Sequence, residues 1–155
     1  MRLIPLLLRS VSRYRTAMTL HADYDPENIF AKIIAGEMPA VRVHDSKDVL
    51  VIMDAFPQSR GHCLVIPKRP VRNLLDLAPK DIGRLFGTVQ RVSQAIDKAL
   101  SPDGIIVTQF NGAPAGQTVF HLHVHIIPKF DAEALGAHGE GMADKDELQK
   151  LANQI

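Results

Sequence analysis

Cysteine is nearly absent: among 155 residues only Cys63 carries a thiol. A single cysteine excludes a disulfide framework within the chain and argues against a thiolate metal site. It also fits a reducing compartment. An excess of one charge is lacking as well. With 18 basic and 17 acidic residues the formal net charge is +1, so no strong field points to nucleic acid or an anionic membrane, and neither is expected as a partner. No apolar run approaches the ~20 residues that span a bilayer; the run at residues 3–8 is far short. Acidic residues are missing ahead of Asp23, where Arg2, Arg9, Arg13, Arg15, Ser10 and Ser12 fall instead. That composition resembles an organellar transit peptide; the alternative is an upstream start codon with Met18 as the working start. Residues 1–20 are therefore expected to be a leader outside the fold. The expected localisation is cytoplasmic, or mitochondrial if residues 1–17 are a transit peptide.

What is present is a globular composition, 46% hydrophobic and 23% charged, of a length that suits one domain. Asp25-Pro26 reads as an N-cap followed by a first-turn proline. Ile29, Phe30, Ile33 and Ile34 recur at helical spacing, and Gly36 supplies the stop. Residues 41–44, 49–53 and 62–66 read as strands, with a proline- and glycine-bearing loop from 54 to 61. From Pro79 to Leu100, Ile82, Leu85, Phe86, Val89, Val92 and Ile96 step by threes and fours, which predicts one long helix with a single apolar face. Residues 105–110 and 119–127 read as two more strands, separated by the small-residue loop Asn111-Gly112-Ala113-Pro114-Ala115-Gly116. A last amphipathic stretch over 144–155 reads as a helical tail. No repeat and no second domain are visible. Short turns between neighbouring strands predict an antiparallel sheet of about five strands and an α+β class.

Three of the seven histidines fall within five residues, His121-Leu122-His123-Val124-His125. On a strand alternate residues share a face. Val119, His121, His123, His125 and Ile127 then share one face, and Phe120, Leu122, Val124 and Ile126 share the other. The apolar face is expected to pack on core and the histidine face to line a cleft. An ordinary polar surface would use Thr, Lys or Glu rather than three histidines in register. A single metal ion also fits poorly, because the outer two Cα atoms are separated by about 13 Å of strand, against Zn–N bonds of about 2.0–2.1 Å. A row of imidazoles suits a row of phosphate oxygens better. The middle ring can attack phosphorus, since an imidazole with a pKa near 6.5 is a competent neutral nucleophile, while its neighbours donate hydrogen bonds.

With these residues in view the sequence resembles the histidine triad (HIT) family, whose signature His-φ-His-φ-His-φ-φ (φ apolar) matches residues 121–127 without exception. The likeness extends to Asn28-Ile29-Phe30-Ala31-Lys32-Ile33-Ile34-Ala35-Gly36-Glu37-Met38-Pro39, which looks like the family's opening helix. It continues in Gly61-His62-Cys63-Leu64-Val65-Ile66-Pro67-Lys68, similar to its central strand, and in Gly116-Gln117-Thr118-Val119, similar to its lead-in. The resemblance implies an α+β HIT-like fold over 24–132, with a short N-terminal helix and one long helix on a five-stranded antiparallel sheet, and a tail over 133–155. It implies His123 as the nucleophile, His125 beside the phosphate and leaving group, and His121 and His62 as orienting groups. Gln117, Thr118, Gly116 and Asn111 fall at positions toward the phosphate or leaving group, Asp54 at the ribose hydroxyls, and Ile29, Phe30, Ile33 and Ile52 around the base. His21, His44 and His138 carry no such case, and Lys68, Arg69 and Lys129 read as solvated rims.

Asn28 and Ala31 stand where many bacterial relatives place cysteines for a structural zinc, so no metal and no cofactor is expected. His125 stands where uridylyltransferase relatives carry glutamine, which favours hydrolysis over transfer to a sugar phosphate. The function so implied is hydrolysis of a phosphoramidate or phosphoanhydride bond next to a nucleoside monophosphate of the AMP type, through a covalent nucleotidyl-histidine. The opening helix resembles Hint-type phosphoramidases and the middle resembles Fhit-type dinucleoside polyphosphate hydrolases, and both stay open. A non-catalytic nucleotide-binding or scaffolding protein is the alternative of a different class. The resemblance also implies a homodimer, with the long helix or the fourth strand's edge near the interface.

Overall fold

The computed structural model describes residues 19–137 and 139–155; the leader expected over 1–20 lies, but for its last two residues, outside them, as does His138. In chain order come α1 (Ile29–Ala35), β1 (Arg42–Asp45), β2 (Val49–Met53), β3 (Cys63–Pro67), α2 (Pro79–Leu100), β4 (Gly104–Thr108), β5 (Val124–Lys129) and α3 (Lys145–Gln154). The strands form one antiparallel sheet in the order β1-β2-β3-β5-β4, as the α+β expectation requires. Among the described residues no helix is long and apolar enough to cross a membrane.

Both faces of the sheet are covered, which is why β2 and β3 are buried throughout rather than alternating. On one face Val49, Val51, Met53, Cys63, Val65, Val124 and Ile126 pack against Leu85, Val89, Val92 and Ile96 of α2. Leu148 of α3 joins that cluster. On the other face Leu50, Ile52, Leu64 and Ile66 pack against Phe30 and Ile33 of α1. His125 is paired across the sheet with Leu64 and with Thr108. Paired residues share a face, so His125 emerges on the α1 side.

Three expectations are corrected. The opening helix is capped by Asn28, whose side chain accepts the Ala31 N–H, and not by Asp25; Asp25 instead takes the Glu27 N–H in a turn ahead of the helix. The predicted face of α2 is too wide: Ile82 and Phe86 are 40% and 39% exposed, while the positions from Leu85 inward are buried. The largest change concerns the triad. β5 begins at Val124, so residues 119–123 are not strand and only His125 sits in the ladder. In the β3–β5 register Pro67 would face Leu122, but proline has no N–H to give the ladder. The chain turns away after Pro67, and the Leu122 N–H goes to the Val71 carbonyl instead. Phe120 consequently leaves the expected core face and lies under the Arg72 guanidinium, 4.1 Å from its ring centre, while Leu122, Val124 and Ile126 are core as expected.

The junction of α2 with the sheet carries the fold's main burial. Truncating Ile96, which is fully buried there, removes apolar contact and leaves a cavity. Ile96→Ala is expected to lower unfolding free energy by about 2–5 kcal/mol, read from urea unfolding; a loss below about 1 kcal/mol would contradict this packing.

Candidate active site

Four histidines converge from three stretches of the chain. His62 immediately precedes β3, His125 is in β5, and His121 and His123 lie in the bent segment ahead of it. All four are buried, His123 at 6% exposure the least so. The rings of His123 and His125 are 4.9 Å apart, and the Phe30 ring stands edge-on to His123, also at 4.9 Å.

The hydrogen-bond partners determine where each ring carries its proton. A carbonyl can only accept and a backbone N–H can only donate. The His123 Nδ1–H donates to the His121 carbonyl at 2.7 Å, so in the neutral ring Nε2 holds the lone pair. His62 Nδ1 accepts the Gln58 N–H at 3.1 Å, which puts the His62 proton on Nε2. That proton is donated to His125 Nδ1 at 3.0 Å, leaving His125 with its own proton on Nε2. His121 Nε2–H donates to the Pro67 carbonyl at 2.8 Å, and its Nδ1 accepts from the Tyr24 hydroxyl at 2.6 Å. Burial pushes the His121 pKa down to about 4, against the Pro67 hydrogen bond and with a small further push from His123. The result is one lone pair on His123 Nε2 beside one N–H on His125 Nε2.

The remaining predicted positions fall into two groups. Asp54 is buried, with Oδ2 3.4 Å from His62 Nε2 and Oδ1 accepting the Phe56 N–H, whereas Thr118 is exposed. Gln117 is buried with its amide engaged by backbone, accepting from Gly112 N–H and donating to the Arg72 and Val119 carbonyls. Asn111 accepts the Leu74 N–H and pairs its amide with that of Gln109. These two side chains thus shape the 111–119 loop. Gly116 has φ of +106°, and a Cβ there would lie 3.4 Å from the Phe110 ring, which itself stands against His125. The positive φ strains any other residue at that position, while the Cβ itself would only touch the Phe110 ring. Of the residues expected around a base, Phe30, Ile33 and Ile52 are buried in the second core cluster, and Ile29 is 39% exposed.

Sequence reasoning missed Tyr24, Phe110 and the tail. Tyr24 lies 97 residues from its partner His121, and no local pattern announces such a pair. The tail braces the loop that presents Asp54 and His62. Gly136 exchanges hydrogen bonds with Gln58, the Ala143 N–H donates to the Ala55 carbonyl, and Arg60 lies over Phe130 and near Glu133. Among the described residues Asp54, His62 and His125 form a group whose donor atoms all lie within 4.8 Å. They are the side chains that could hold a metal, although the hydrogen-bond chain just described accounts for them without one.

The family model for the HIT domain matches residues 35–132, and the chain belongs to that family. A crystal structure of a Hit-like protein from Bartonella henselae, described as involved in cell-cycle regulation, is 43% identical with a TM-score of 0.82, covering 86% of this chain and 96% of that one. The crystal structure of a hypothetical histidine triad nucleotide-binding protein from Sulfolobus tokodaii is 32% identical with a TM-score of 0.74, over 81% of this chain and 87% of that one. The adenylylsulfatase HINT3 of Arabidopsis thaliana is 36% identical over 127 residues, which cover 82% of this chain and 64% of that protein's length.

The His121 environment has a consequence for stability. Its pKa falls from 6.5 unfolded to about 4 folded, so between those values the unfolded chain binds the extra proton. Stability contributed by keeping this ring neutral is full above pH 6.5 and is lost as pH falls toward 4, by up to about 3 kcal/mol. Unfolding measured across that window is expected to steepen with acid in the parent and to flatten in His121→Asn; equal slopes would contradict the assignment.

Proposed function

We propose that this protein is a nucleotide hydrolase that cleaves a phosphoramidate or phosphoanhydride bond next to a nucleoside monophosphate, with His123 as the nucleophile. The observation that supports this most is the His121 carbonyl on His123 Nδ1, because it leaves the ring's lone pair on Nε2. In the first step Nε2 attacks the α-phosphorus, a P–N bond forms, and the bond to the leaving group breaks with its electron pair going to that group. The positive charge that grows on the His123 ring strengthens its hydrogen bond to the carbonyl. His125 Nε2–H donates a hydrogen bond to a phosphate oxygen or to the leaving atom. A phosphoanhydride leaves as an oxyanion, whereas the amine of a phosphoramidate takes this proton as its bond breaks, and the proton of the attacking water later restores it to His125. Water then attacks phosphorus, the P–N bond breaks, His123 Nε2 recovers its lone pair, and a nucleoside monophosphate is released, with a free proton where the leaving group took none from His125.

In this reading Asp54 faces the ribose hydroxyls, and Phe30, Ile33, Ile52 and the exposed Ile29 border the base. Gly116 and Thr118 approach the phosphate from their loop, while Gln117 and Asn111 act by holding that loop in shape. The catalytic domain spans 24–132 with the tail as its brace. No resident metal is required. A second copy of the chain is proposed as partner, supported by β4 being an outer strand of the sheet among the described residues, with exposed Ile106 and Val107, and by exposed Ile82 and Phe86 on α2.

The relatives suggest the panel that tests this: an adenosine phosphoramidate, adenylyl sulfate, and dinucleoside tri- and tetraphosphates. Turnover of at least one of these is expected and should survive strong chelation. His123→Asn is expected to lower kcat by at least about 10³-fold while AMP still binds. A fully active His123→Asn would sink the assignment. AMP binding without turnover of any panel member would favour a non-catalytic nucleotide-binding protein instead.

A further inference from the structure

The segment ahead of α1 is laid across the site. The Thr19 carbonyl accepts from the Arg72 guanidinium at 3.1 and 2.8 Å, and the Leu20 carbonyl accepts from Asn73 Nδ2 at 2.9 Å. Arg72 and Asn73 are almost completely buried. The Leu20 side chain reaches the 111–117 loop, 3.4 Å from where a Cβ on Gly112 would stand. The segment is thus tied to the turn and the loop that flank the triad, and Tyr24 follows a few residues on. Its hydroxyl meets His121 Nδ1 at 2.6 Å, with the rings edge to face at 5.6 Å.

The direction of that hydrogen bond is determined. His121 Nε2 faces a carbonyl and must carry the proton, so in the neutral ring Nδ1 is the acceptor and Tyr24 is the donor. Burial raises the Tyr24 pKa, against a hydrogen bond from Asn28 that lowers it, which keeps the hydroxyl protonated. His121 is held at both nitrogens for a reason that lies in the fold. It precedes β5, so the sheet ladder does not fix its carbonyl, yet that carbonyl orients His123. The same peptide is held through its Leu122 N–H by the Val71 carbonyl, and the ring clamped at both ends holds it from the side-chain end.

We propose that Tyr24 is a positioning residue: its hydroxyl clamps His121 and, through the His121 carbonyl, fixes the proton and the aim of the His123 ring. The catalytic part of this claim rests on His123 being the nucleophile; the clamp itself does not.

Tyr24→Phe in the full chain keeps the ring and removes the hydroxyl. Histidine side-chain nitrogen NMR is expected to show the His121 Nδ1 resonance moving to the position of an acceptor without a donor. The His123 Nδ1–H proton is expected to exchange faster with water. On whichever panel substrate is turned over, kcat is expected to fall about tenfold, equivalent to about 1.4 kcal/mol, with KM within about twofold. An unchanged His121 Nδ1 resonance overturns the clamp. A shifted His121 resonance with unaltered His123 exchange and unaltered kcat overturns its positioning role. If the parent turns over no substrate, the functional reading fails, and the two resonances alone decide whether the clamp exists.

Discussion

One hydrogen bond organises the site: His123 Nδ1–H to the carbonyl of His121. A buried imidazole without a committed partner can place its proton on either nitrogen, and only one tautomer leaves the lone pair on Nε2. A backbone carbonyl removes the ambiguity because it never donates. In the proposed mechanism it also offers a full dipole to the charge that would develop on the ring during attack, in surroundings where water competes little. Much of the surrounding structure can be understood as keeping that carbonyl in place. Pro67 ends the β3 ladder and lends its own carbonyl to His121, the Val71 carbonyl takes the Leu122 N–H, and Gln117 ties the preceding loop to the Arg72 carbonyl.

The second histidine pair is ordered by the sheet. His125 is held by register opposite Leu64, one step from where His62 enters β3. The Gln58 N–H sets the tautomer of His62, and His62 sets that of His125. Two chains of hydrogen bonds therefore reach the centre, one ending on His123 and the other on His125. One puts a lone pair on His123 Nε2 and the other an N–H on His125 Nε2, the complementary pair that the proposed attack on phosphorus and support of the leaving group would use.

The element order, the long helix and the triad were legible because each has a local signature: periodicity of three and four in α2, continuous apolar runs in β2 and β3, and a motif of seven contiguous residues. The strand assignment for residues 119–123 failed for a non-local reason. Alternation of apolar residues and histidines imitates a strand, but a strand needs a partner with N–H groups, and here the partner ends in Pro67. The exposure of Ile82 and Phe86 was hidden for a similar reason, since helical spacing records which residues share a face and not how far the sheet beneath extends. Tyr24 and the bracing tail join the site only through tertiary contacts, so no window of sequence contains them. Gln117 shows the converse: its position in the motif is plain from sequence, while its buried amide, spent on three backbone partners, is visible only in the fold.

The proposed function requires covalent chemistry at one nitrogen. The most direct measurement is rapid mixing of the protein with a turned-over nucleotide substrate, quenching in base where phosphoramidates survive, and peptide mass spectrometry. The predicted result is one nucleoside monophosphoryl group per chain, localised to His123 and appearing before steady-state product. Substrate turnover with no such adduct at any time, or an adduct mapped to another side chain, would contradict it.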